Sequence, residues 1–446
     1  MGFHKSRPKL AGAIGPAVAA AAVFWAAHEG RAATYYVSPT GSDANPGTLE
    51  RPFKTVQKGA DVLRAGDTLY LRGGTYKERA ALGYERDGTA AAPITVAGYP
   101  GETAILDGND YTIADWEGGA LIIVYGEWFV VRDLTLTKSA TAGIVSVGSC
   151  NTLRNLFVHH NWNAGIILMG DYSIAEDCRS WANCLNNENG QATSWGTGIT
   201  CARYPQGCIV RRCTAWENWG EGISTFESMY TTIEDNISYN NNVNIYISDT
   251  RYTVCRRNLV YSTPGNSVDR YFTQVGILVG DELGVPIPLS PGGVRVPSSD
   301  NVISDNLVIG CDRNLQAARY TNNLFIHNTF VNADMDACVL LHRGPCTNEW
   351  FVNNLIVQED NLAVAIAEAT GLGRANNLWS KTPPAAAASA GDVIGDPALI
   401  KTGSLAAGAL SRDYFALQAG SRAIDRGSLF ATNAYAPRAL NVSQPP

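Results

Sequence analysis

A short motif that recurs about every 22 residues constrains this chain more than any other feature. In each copy a polar residue is followed by Asp, Asn or Cys and then by alternating apolar residues. Most steps between copies are 22 or 23 residues and one is 26, whereas steps of 35 and 48 mark insertions or, for the longer one, a double rung. A fixed period of this length indicates a solenoid, in which each repeat stacks on its neighbour. The motif residue falls at positions 133, 155, 178, 213, 236, 258, 306, 328, 354 and 377.

This period predicts the fold class, because one turn of a parallel coil raises the chain by only ~4.8 Å. Equivalent side chains then stack, and stacked Asn side chains can hydrogen-bond from rung to rung in a turn whose left-handed backbone Asn tolerates. Charged residues make up only 17% of the chain and glycines number 44, which suits stacked strands and tight turns better than helices. We therefore predict an all-β fold, a single right-handed parallel β-helix of ten or more rungs with a short N-terminal capping helix.

Composition divides the chain into four segments. Residues 1–33 have a basic start, an Ala-rich apolar stretch and small residues near their end, which is typical of a secretory signal. We therefore expect a secreted or periplasmic protein. Residues 34–76 predict an N-terminal cap whose helix places Phe53, Val56, Ala60 and Leu63 on one apolar face. The β-helix is expected over residues 77–380, and a small-residue linker with a capping tail over 381–446.

Charge and cysteine content exclude some classes of partner. Without residues 1–33, 30 basic and 40 acidic residues remain, a net charge of −10 that argues against a nucleic-acid partner. No later run approaches the ~18 apolar residues of a membrane helix, and we expect a monomer. The ten cysteines show no paired CxxC spacing, which argues against a zinc site. Cys178 and Cys213 occupy motif positions in consecutive rungs, where they would form either a disulfide or a buried thiol stack.

A second alignment predicts which residues face outwards. The alignment predicts that one isoleucine of each strand points inwards. It matches the triplets AGI, TGI, EGI, VNI and VGI at 164–166, 197–199, 221–223, 243–245 and 275–277. Five residues after the aligned Gly or Asn stands a polar column that we interpret as a candidate active site. Polar residues at exposed strand ends are also common without any function. The column contains Gly170, Arg203, Glu227, Asp249 and Asp281, extended less regularly by Arg319 and His342.

Three acidic residues in successive rungs predict unusual chemistry, because carboxylates ~5 Å apart repel one another. Either Glu227, Asp249 and Asp281 bind a cation, for which calcium is suitable, or one of them is protonated and acts as a general acid. Insertions at 185–195, 262–273 and 282–299 lie next to the strands of this column. Loops that leave a rigid scaffold around one patch commonly form the walls of a cleft.

Aromatic residues supply the candidate substrate-binding surface. Trp162, Trp195 and Trp219 share a column three residues before the aligned Gly. Their flat rings suit the C–H faces of sugars, although packing within a turn explains them equally well. Phe226 and Tyr246 occupy outward strand positions and are the better exposed candidates. Tyr246, Phe226, Trp219 and Trp195 are therefore the predicted substrate-binding residues.

Particular stretches of this sequence resemble a known family. The N-terminal "YYVSPTGSDANPGT", "RPFKTVQKGAD" and "AGDTLYLRGGTY", and the repeats that contain "GEGI", "EDN" and "RNLVY", resemble the family 9 pectate lyases and related secreted β-helix proteins that act on polysaccharides. The resemblance covers roughly residues 34–430 and concerns mostly the scaffold. It implies cleavage of uronic-acid chains by β-elimination, with calcium bound by clustered aspartates and a lysine that abstracts the proton.

The sequence departs from that pattern at the residues that carry the chemistry. The tight "DDG" aspartate cluster is absent, and Lys138, the only lysine between residues 78 and 380, lies rungs away from the acidic column. Arginine resists deprotonation, which leaves His342 as the chemically easier base beside Arg203 and Arg319. The aspartate pairs of polygalacturonases are also missing as a motif.

Three functions therefore remain open from the sequence. The first is a polysaccharide lyase in which Glu227, Asp249 and Asp281 hold calcium and His342 or an arginine acts as base. The second is a glycoside hydrolase that uses two of these carboxylates, whose separation would set the stereochemical outcome. The third is a non-catalytic surface protein that binds glycan, because a fold alone does not define a function.

Overall fold

The computed structural model describes residues 32–112, 119–191, 195–281, 298–334, 346–360 and 371–427, with the backbone of five short strands between these ranges. The chain from Ala32 onward forms one compact unit. Residues 1–31, which hold most of the predicted secretory signal, lie outside the described residues, and the signal stays a prediction. Across the described ranges, no helix is both long and apolar enough to cross a membrane.

Each rung of the chain contributes one strand to each of three parallel sheets, which we number in chain order. Phe129–Arg132 lies in sheet 1, Thr135–Thr137 in sheet 2 and Ala142–Ser146 in sheet 3. Thr152–Arg154 then begins the next rung directly beside Phe129–Arg132. We call the connection from sheet 1 to sheet 2 turn 1, that from sheet 2 to sheet 3 turn 2, and that from sheet 3 back to sheet 1 turn 3.

The strands of the three sheets run almost the whole length of the described chain. Sheet 1 contains Thr34–Val37, Thr68–Leu71, Ile94–Gly98, Phe129–Arg132, Thr152–Arg154, Ile174–Glu176, Ile209–Arg211, Thr232–Glu234, Val254–Arg256, Val302–Ser304, Leu324–Ile326, Trp350–Val352 and Gly373–Ala375. Sheet 2 contains Gly74–Tyr76, Ala104–Asp107, Thr135–Thr137, Phe157–His159, Arg179–Trp181, Thr214–Trp216, Ile237–Tyr239, Leu259–Tyr261, Leu307–Ile309, Thr329–Val331, Leu355–Val357, Leu378–Trp379 and Val393–Ile394. Sheet 3 contains Ala80–Leu82, Ala120–Val124, Ala142–Ser146, Ala164–Leu168, Thr197–Ala202, Glu221–Phe226, Val243–Ser248, Val275–Gly280, Arg313–Ala318, Val339–Leu341 and Val364–Ile366.

The remaining elements are short. A small antiparallel pair joins Ile287–Pro288 to Arg295–Val296, and a parallel pair joins Cys346–Thr347 to Ala369–Thr370. The α-helix is Val56–Ala60, and two 3-10 helices occupy Leu185–Gly190 and Arg412–Phe415.

The interior confirms the predicted inward column of sheet 3. Consecutive isoleucines pair in register from rung to rung, and each is fully buried. Branched apolar side chains stacked in this way fill the narrow centre of the coil and bury apolar surface on every rung. The column consists of Ile166, Ile199, Ile223, Ile245 and Ile277.

A ladder of buried asparagines lies in turn 1 of successive rungs, as the repeat predicts. The side-chain Nδ2 of each donates to Oδ1 of the next over 2.9–3.2 Å. Cys213 precedes the ladder, and its backbone N–H donates to Oδ1 of Asn236 at 2.9 Å. Cys178 and Cys213 are buried free thiols, so the structure agrees with a thiol stack rather than a disulfide. The ladder consists of Asn236, Asn258, Asn306, Asn328, Asn354 and Asn377.

The predicted register is wrong by one residue in two rungs. Because Arg154 pairs with Arg132 on one side and with Glu176 on the other, Asp133 and Asn155 precede the ladder position instead of occupying it. Both have left-handed backbone angles, with φ of 59° and 48°. The ladder position is therefore held by leucine in these two rungs. Asn and Asp favour the left-handed position as readily as the ladder, so residue type alone does not distinguish the two.

A segment near each end of the described chain packs on the coil. Phe53, Val56, Ala60 and Leu63 are buried in the main core, which confirms the predicted capping helix. The C-terminal tail packs along the outer face of sheet 2 against apolar side chains of four consecutive rungs and Val357 of the next. The tail residues in that contact are Leu399, Leu410, Tyr414 and Phe415, and the sheet residues are Tyr239, Tyr261, Ile309, Val331 and Val357.

Candidate functional site

The candidate site lies where the strands of sheet 3 end and turn 3 begins. Pairing between the last residues of consecutive strands joins Ala202 to Phe226, Phe226 to Ser248, Ser248 to Gly280 and Gly280 to Ala318. The residue after each of these is thus stacked on its counterpart one rung away. We call this row the charged column; it consists of Arg203, Glu227, Asp249, Asp281 and Arg319.

Most of the charged column adopts an unusual backbone conformation. Arg203, Glu227, Asp249 and Arg319 have φ between 47° and 69°. The left-handed region costs an L-residue roughly 1–2 kcal/mol, and Arg and Glu lack the short polar side chain that eases the cost for Asn and Asp. The stacked strands on either side hold the turn in this shape. Left-handed residues recur in turns along the whole described coil, Asp133 and Asn155 among them, so this conformation belongs to the turn and does not by itself mark a function.

The three acids of the column differ in exposure. Asp249 is fully buried, and the hydroxyl of Ser248 donates to its Oδ2 at 2.7 Å. Glu227 and Asp281 are half-buried and therefore reach the surface. The Tyr204 hydroxyl donates to Oε1 of Glu227 at 3.0 Å. Glu227 is thus the accessible carboxylate with a phenolic proton beside it.

The two arginines form the cationic ends of the column. Arg203 and Arg319 are both exposed, and neither forms an ion pair within the described part of the chain. A guanidinium offers planar paired donors that match a carboxylate. The column therefore presents cationic groups to a ligand on either side of its acids.

A buried tyrosine lies beneath the acids. The hydroxyl of Tyr320 donates to the backbone carbonyl of Ile247 at 2.9 Å, and the side chain is only 1% exposed. Burial raises the pKa of Tyr320 well above its ordinary value, and the nearby Asp249, Tyr246 and Asp281 raise it further. Tyr320 is therefore a neutral phenol that supports the column from inside.

Two predicted substrate-binding residues lie on the outer face of sheet 3. Phe226 and Tyr246 are half-buried. A Cβ atom placed on Gly280 would come within 3.2 Å of Cε2 and Oη of Tyr246. The ring of Tyr246 therefore reaches across to the next rung, where Gly280 immediately precedes Asp281. This places a phenol beside the charged column.

The two predicted tryptophans differ from each other. Trp195 is 53% exposed, in keeping with a ligand-binding surface. Trp219 is only 7% exposed and packs with Cys184, Val268 and Tyr271. The insertion before Val275 covers it, so the expectation of an accessible ring at Trp219 is wrong and this residue serves packing.

Residues that the sequence analysis missed also line turn 3. Tyr230 and Tyr252 stack with ring centroids 4.9 Å apart, and the Arg251 guanidinium lies 4.6 Å from the centroid of Tyr252. Arg251 also pairs with Asp300, with Nε and Oδ2 2.9 Å apart. Continuing the column alignment by one to three residues would have found these side chains, as well as Tyr204.

Calcium binding by Glu227, Asp249 and Asp281 stays a prediction. No three Asp, Glu, His or Cys side chains in the described ranges come together as a metal site. Oxygens of Asp249 and Glu227 instead accept hydrogen bonds from hydroxyls, whereas calcium requires six to eight oxygen ligands. We therefore derive no step through calcium. His342, the predicted base, lies outside the described residues.

Comparison with known proteins agrees with this fold. Residues 35–253 match the family described as Pel9A-like, right handed beta helix region. Pectate lyase PEL9 of Emericella nidulans is 28% identical over 242 residues, which span 48% of this chain and 58% of the relative. Pectate lyase L of Dickeya dadantii is 26% identical over 222 residues, 48% of this chain and 52% of the relative. The chain thus spans about half the length of the curated relatives it matches.

A solved structure extends the likeness in fold over almost the whole chain. The crystal structure of pectate lyase Pel9A aligns with a TM-score of 0.53 and 18% identity, covering 93% of this chain and 94% of the other. The protein is a single right-handed parallel β-helix. Within that class it is related to the family 9 pectate lyases, as the resemblance in its sequence predicts.

Proposed function

We propose that this protein is a polysaccharide lyase that cleaves uronic-acid-containing glycans by β-elimination at the charged column. The observation that carries the proposal is the in-register row of Arg203, Glu227, Asp249, Asp281 and Arg319 on a β-helix of the pectate-lyase type. The related pectate lyases support the reaction class.

Substrate binding follows from the two exposed arginines. A uronate residue carries one carboxylate, and Arg203 or Arg319 would bind it through paired hydrogen bonds. Neutralising that carboxylate stabilises the negative charge that develops on it when the proton at C5 leaves. The guanidinium groups therefore bind the glycan and lower the barrier to proton removal.

Proton transfer is assigned to Glu227 and Tyr204. Glu227 accepts the C5 proton, the electron pair forms the C4–C5 double bond, and the C4–oxygen bond breaks. The Tyr204 hydroxyl gives its proton to the departing oxygen. The 3.0 Å hydrogen bond between Tyr204 and Glu227 then returns the captured proton to the phenolate and restores both groups.

A product assay tests the reaction class. The purified protein is incubated with polygalacturonate, alginate and rhamnogalacturonan, each with added calcium and with chelator. A lyase produces unsaturated uronates that absorb in the ultraviolet, together with new reducing ends. Ultraviolet absorbance that grows with at least one polymer is the expected result, and no absorbance gain with any of them would exclude a lyase of these glycans. The chelator arm reports separately whether the reaction needs a metal.

A glycoside hydrolase is the second candidate, favoured by the stacked carboxylates. Because Asp249 is buried, the accessible pair is Glu227 and Asp281, which lie two rungs apart. Two rungs correspond to roughly 9.6 Å, close to the ~6.5–9.5 Å of inverting glycosidases. New reducing ends without ultraviolet absorbance in the same assay would identify this reaction instead.

A further inference from the structure

Three exposed aromatic rings lie along turn 2, at the edge of sheet 3 opposite the charged column. Trp162 is 45% exposed, Trp195 53% and Tyr271 42%. We call these three residues the aromatic rim. Leaving such rings in water forgoes the favourable free energy of burying them, and contiguous apolar surface commonly marks a site of interaction.

Each ring of the rim is held by a second aromatic residue. Trp162 contacts Tyr111, Trp195 contacts Phe272 and Tyr271 contacts Trp219, with ring centroids 5.8, 5.8 and 5.9 Å apart and interplanar angles of 54–60°. These tilted contacts fix the orientation of the exposed rings. A ligand that stacks on them therefore loses little side-chain entropy on binding.

The rim runs along the axis of the coil. A Cβ atom on Gly196 would lie 1.9 Å from the carbonyl oxygen of Asn163, and one on Gly220 would lie 2.1 Å from that of Gly196. The turns that carry Trp162, Trp195 and Trp219 are thus in consecutive rungs, ~4.8 Å apart. In the rung that carries Trp219, the ring of Tyr271 covers the buried tryptophan. Tyr271 therefore supplies the exposed ring in place of Trp219.

The rim and the charged column lie at the two ends of the strands of sheet 3. The strand Thr197–Ala202 begins two residues after Trp195 and ends immediately before Arg203. At ~3.3 Å per residue, this strand separates the two rows by about 20 Å. A glycan cleaved at the column would thus reach the rim with sugars several residues from the cleaved bond.

Local charge indicates which part of a glycan suits the rim. Lys138 pairs with Asp110 at 2.6 Å, and the Tyr111 hydroxyl donates to the carbonyl of His160 at 3.1 Å. Lys138 is therefore neutralised and the Tyr111 phenol is engaged, whereas Arg270, next to Tyr271 in the sequence, is exposed. The flat, fixed rings of the rim suit the apolar C–H faces of pyranose rings.

We propose that the aromatic rim is a second glycan-binding subsite, which stacks pyranose rings of the same polysaccharide away from the cleaved bond. The inference rests on the proposed glycan ligand but not on its turnover. Binding and turnover are therefore separate tests, and either can fail alone.

Affinity electrophoresis tests the rim directly. Full-length protein carrying Glu227→Gln, which is expected to suppress turnover, is run in gels containing polygalacturonate, alginate or rhamnogalacturonan. At least one polymer should slow migration. Adding Trp195→Ala or Trp162→Ala should raise the dissociation constant at least fivefold, whereas Trp195→Phe should retain most of the binding.

Tyr84→Ala is the matched control, because Tyr84 is 70% exposed and contacts Tyr125 at 5.8 Å but lies outside the rim. It should bind like the parent protein. Unchanged binding in both tryptophan variants, an equal loss in Tyr84→Ala, or no retardation by any of the three polymers would each overturn the subsite. Retardation that depends on the rim, without any turnover by the unmodified protein, would remove the proposed lyase activity and leave the subsite in place.

Discussion

The asparagine ladder beside turn 1 and the charged column in turn 3 are built by the same stacking, yet their side chains are used in opposite ways. In the ladder, Asn306 accepts from Asn258 and donates to Asn328, and all three are buried. In the charged column, Arg203 and Arg319 stay exposed and unpaired within the described residues. Asparagine both donates and accepts, so it satisfies its own copy one rung away, whereas like charges cannot.

This difference shows where the coil stabilises itself and where it offers groups to a ligand. The ladder closes its hydrogen bonds internally and contributes stability. The charged column leaves cationic groups and an accessible carboxylate facing solvent, which a uronate chain would complement. Substitutions in the ladder should therefore change stability, and substitutions in the charged column should change activity.

The largest effect is expected for Asn306→Ala. Asn306 is fully buried, and its Nδ2 also donates to the carbonyl of Cys255 at 3.0 Å. The alanine variant leaves buried hydrogen-bond donors and acceptors on both neighbouring rungs without partners. We therefore expect a loss of about 4 kcal/mol in the free energy of unfolding. Chemical denaturation measures it.

Asn155→Ala is the control for that loss, because Asn155 lies at the exposed left-handed position and its side chain donates to the exposed turn residue Asp133 at 2.7 Å. Its loss should stay near 1 kcal/mol or less. Equal losses in the two variants would mean that the buried ladder is not a special source of stability.

The next effect concerns pH. A shorter row of stacked buried side chains, Asn301, Asn323 and Glu349, lies in turn 3. Glu349 is 1% exposed, Asn323 donates to its Oε1 at 3.3 Å, and its Oε2 finds no partner in the described chain. Burial raises the pKa of Glu349 from 4.5 to about 8, and the hydrogen bonds from Asn323 lower it only in part. Cys346 is the other titratable group that interacts with it.

Because the folded pKa is raised, the stability that Glu349 contributes is complete below about pH 4.5 and is lost as pH rises towards about 8. Glu349→Gln removes the titration. The variant should therefore gain progressively on the parent across this window and no further above it. Parallel unfolding curves at pH 4, 6 and 8 measure the difference, and a constant difference would contradict the assignment.

The smallest effect on stability is expected for Arg203→Ala. The side chain is exposed and makes no ion pair with the described residues, so the free energy of unfolding should change by no more than about 0.5 kcal/mol. A thermal denaturation curve suffices. A loss above about 1 kcal/mol would show that the charged column is structural, like the ladder.

The sequence predicts the coil better than the site. Repetition can be read directly from the amino-acid sequence. It predicts the 22-residue period, the inward isoleucines and the in-register charged residues. The register at Asp133 fails because the left-handed position and the ladder position accept the same residue types. Repetition carries no information about such a one-residue choice.

The burial of Trp219 and of Glu349, which the sequence did not predict, depends on contacts outside the repeat. Trp219 is buried because an insertion places Val268 and Tyr271 over it. In the sequence Glu349 resembles any polar turn residue. The structure shows that it is stacked next to Asn323, which donates a hydrogen bond to it. Insertions and the buried side of turns thus mark the limit of what a period can predict.

The most direct test of the charged column compares Glu227→Gln with Glu50→Gln on whichever polysaccharide yields unsaturated products. Glu50 is an exposed carboxylate in the N-terminal cap, far from the site in sequence. We predict that Glu227→Gln lowers kcat/KM by about 100-fold, equivalent to about 2.7 kcal/mol of transition-state stabilisation, with an unchanged unfolding temperature. Glu50→Gln should match the parent protein. Full activity in Glu227→Gln would contradict the account, because the carboxylate assigned to proton abstraction would then have no part in cleavage.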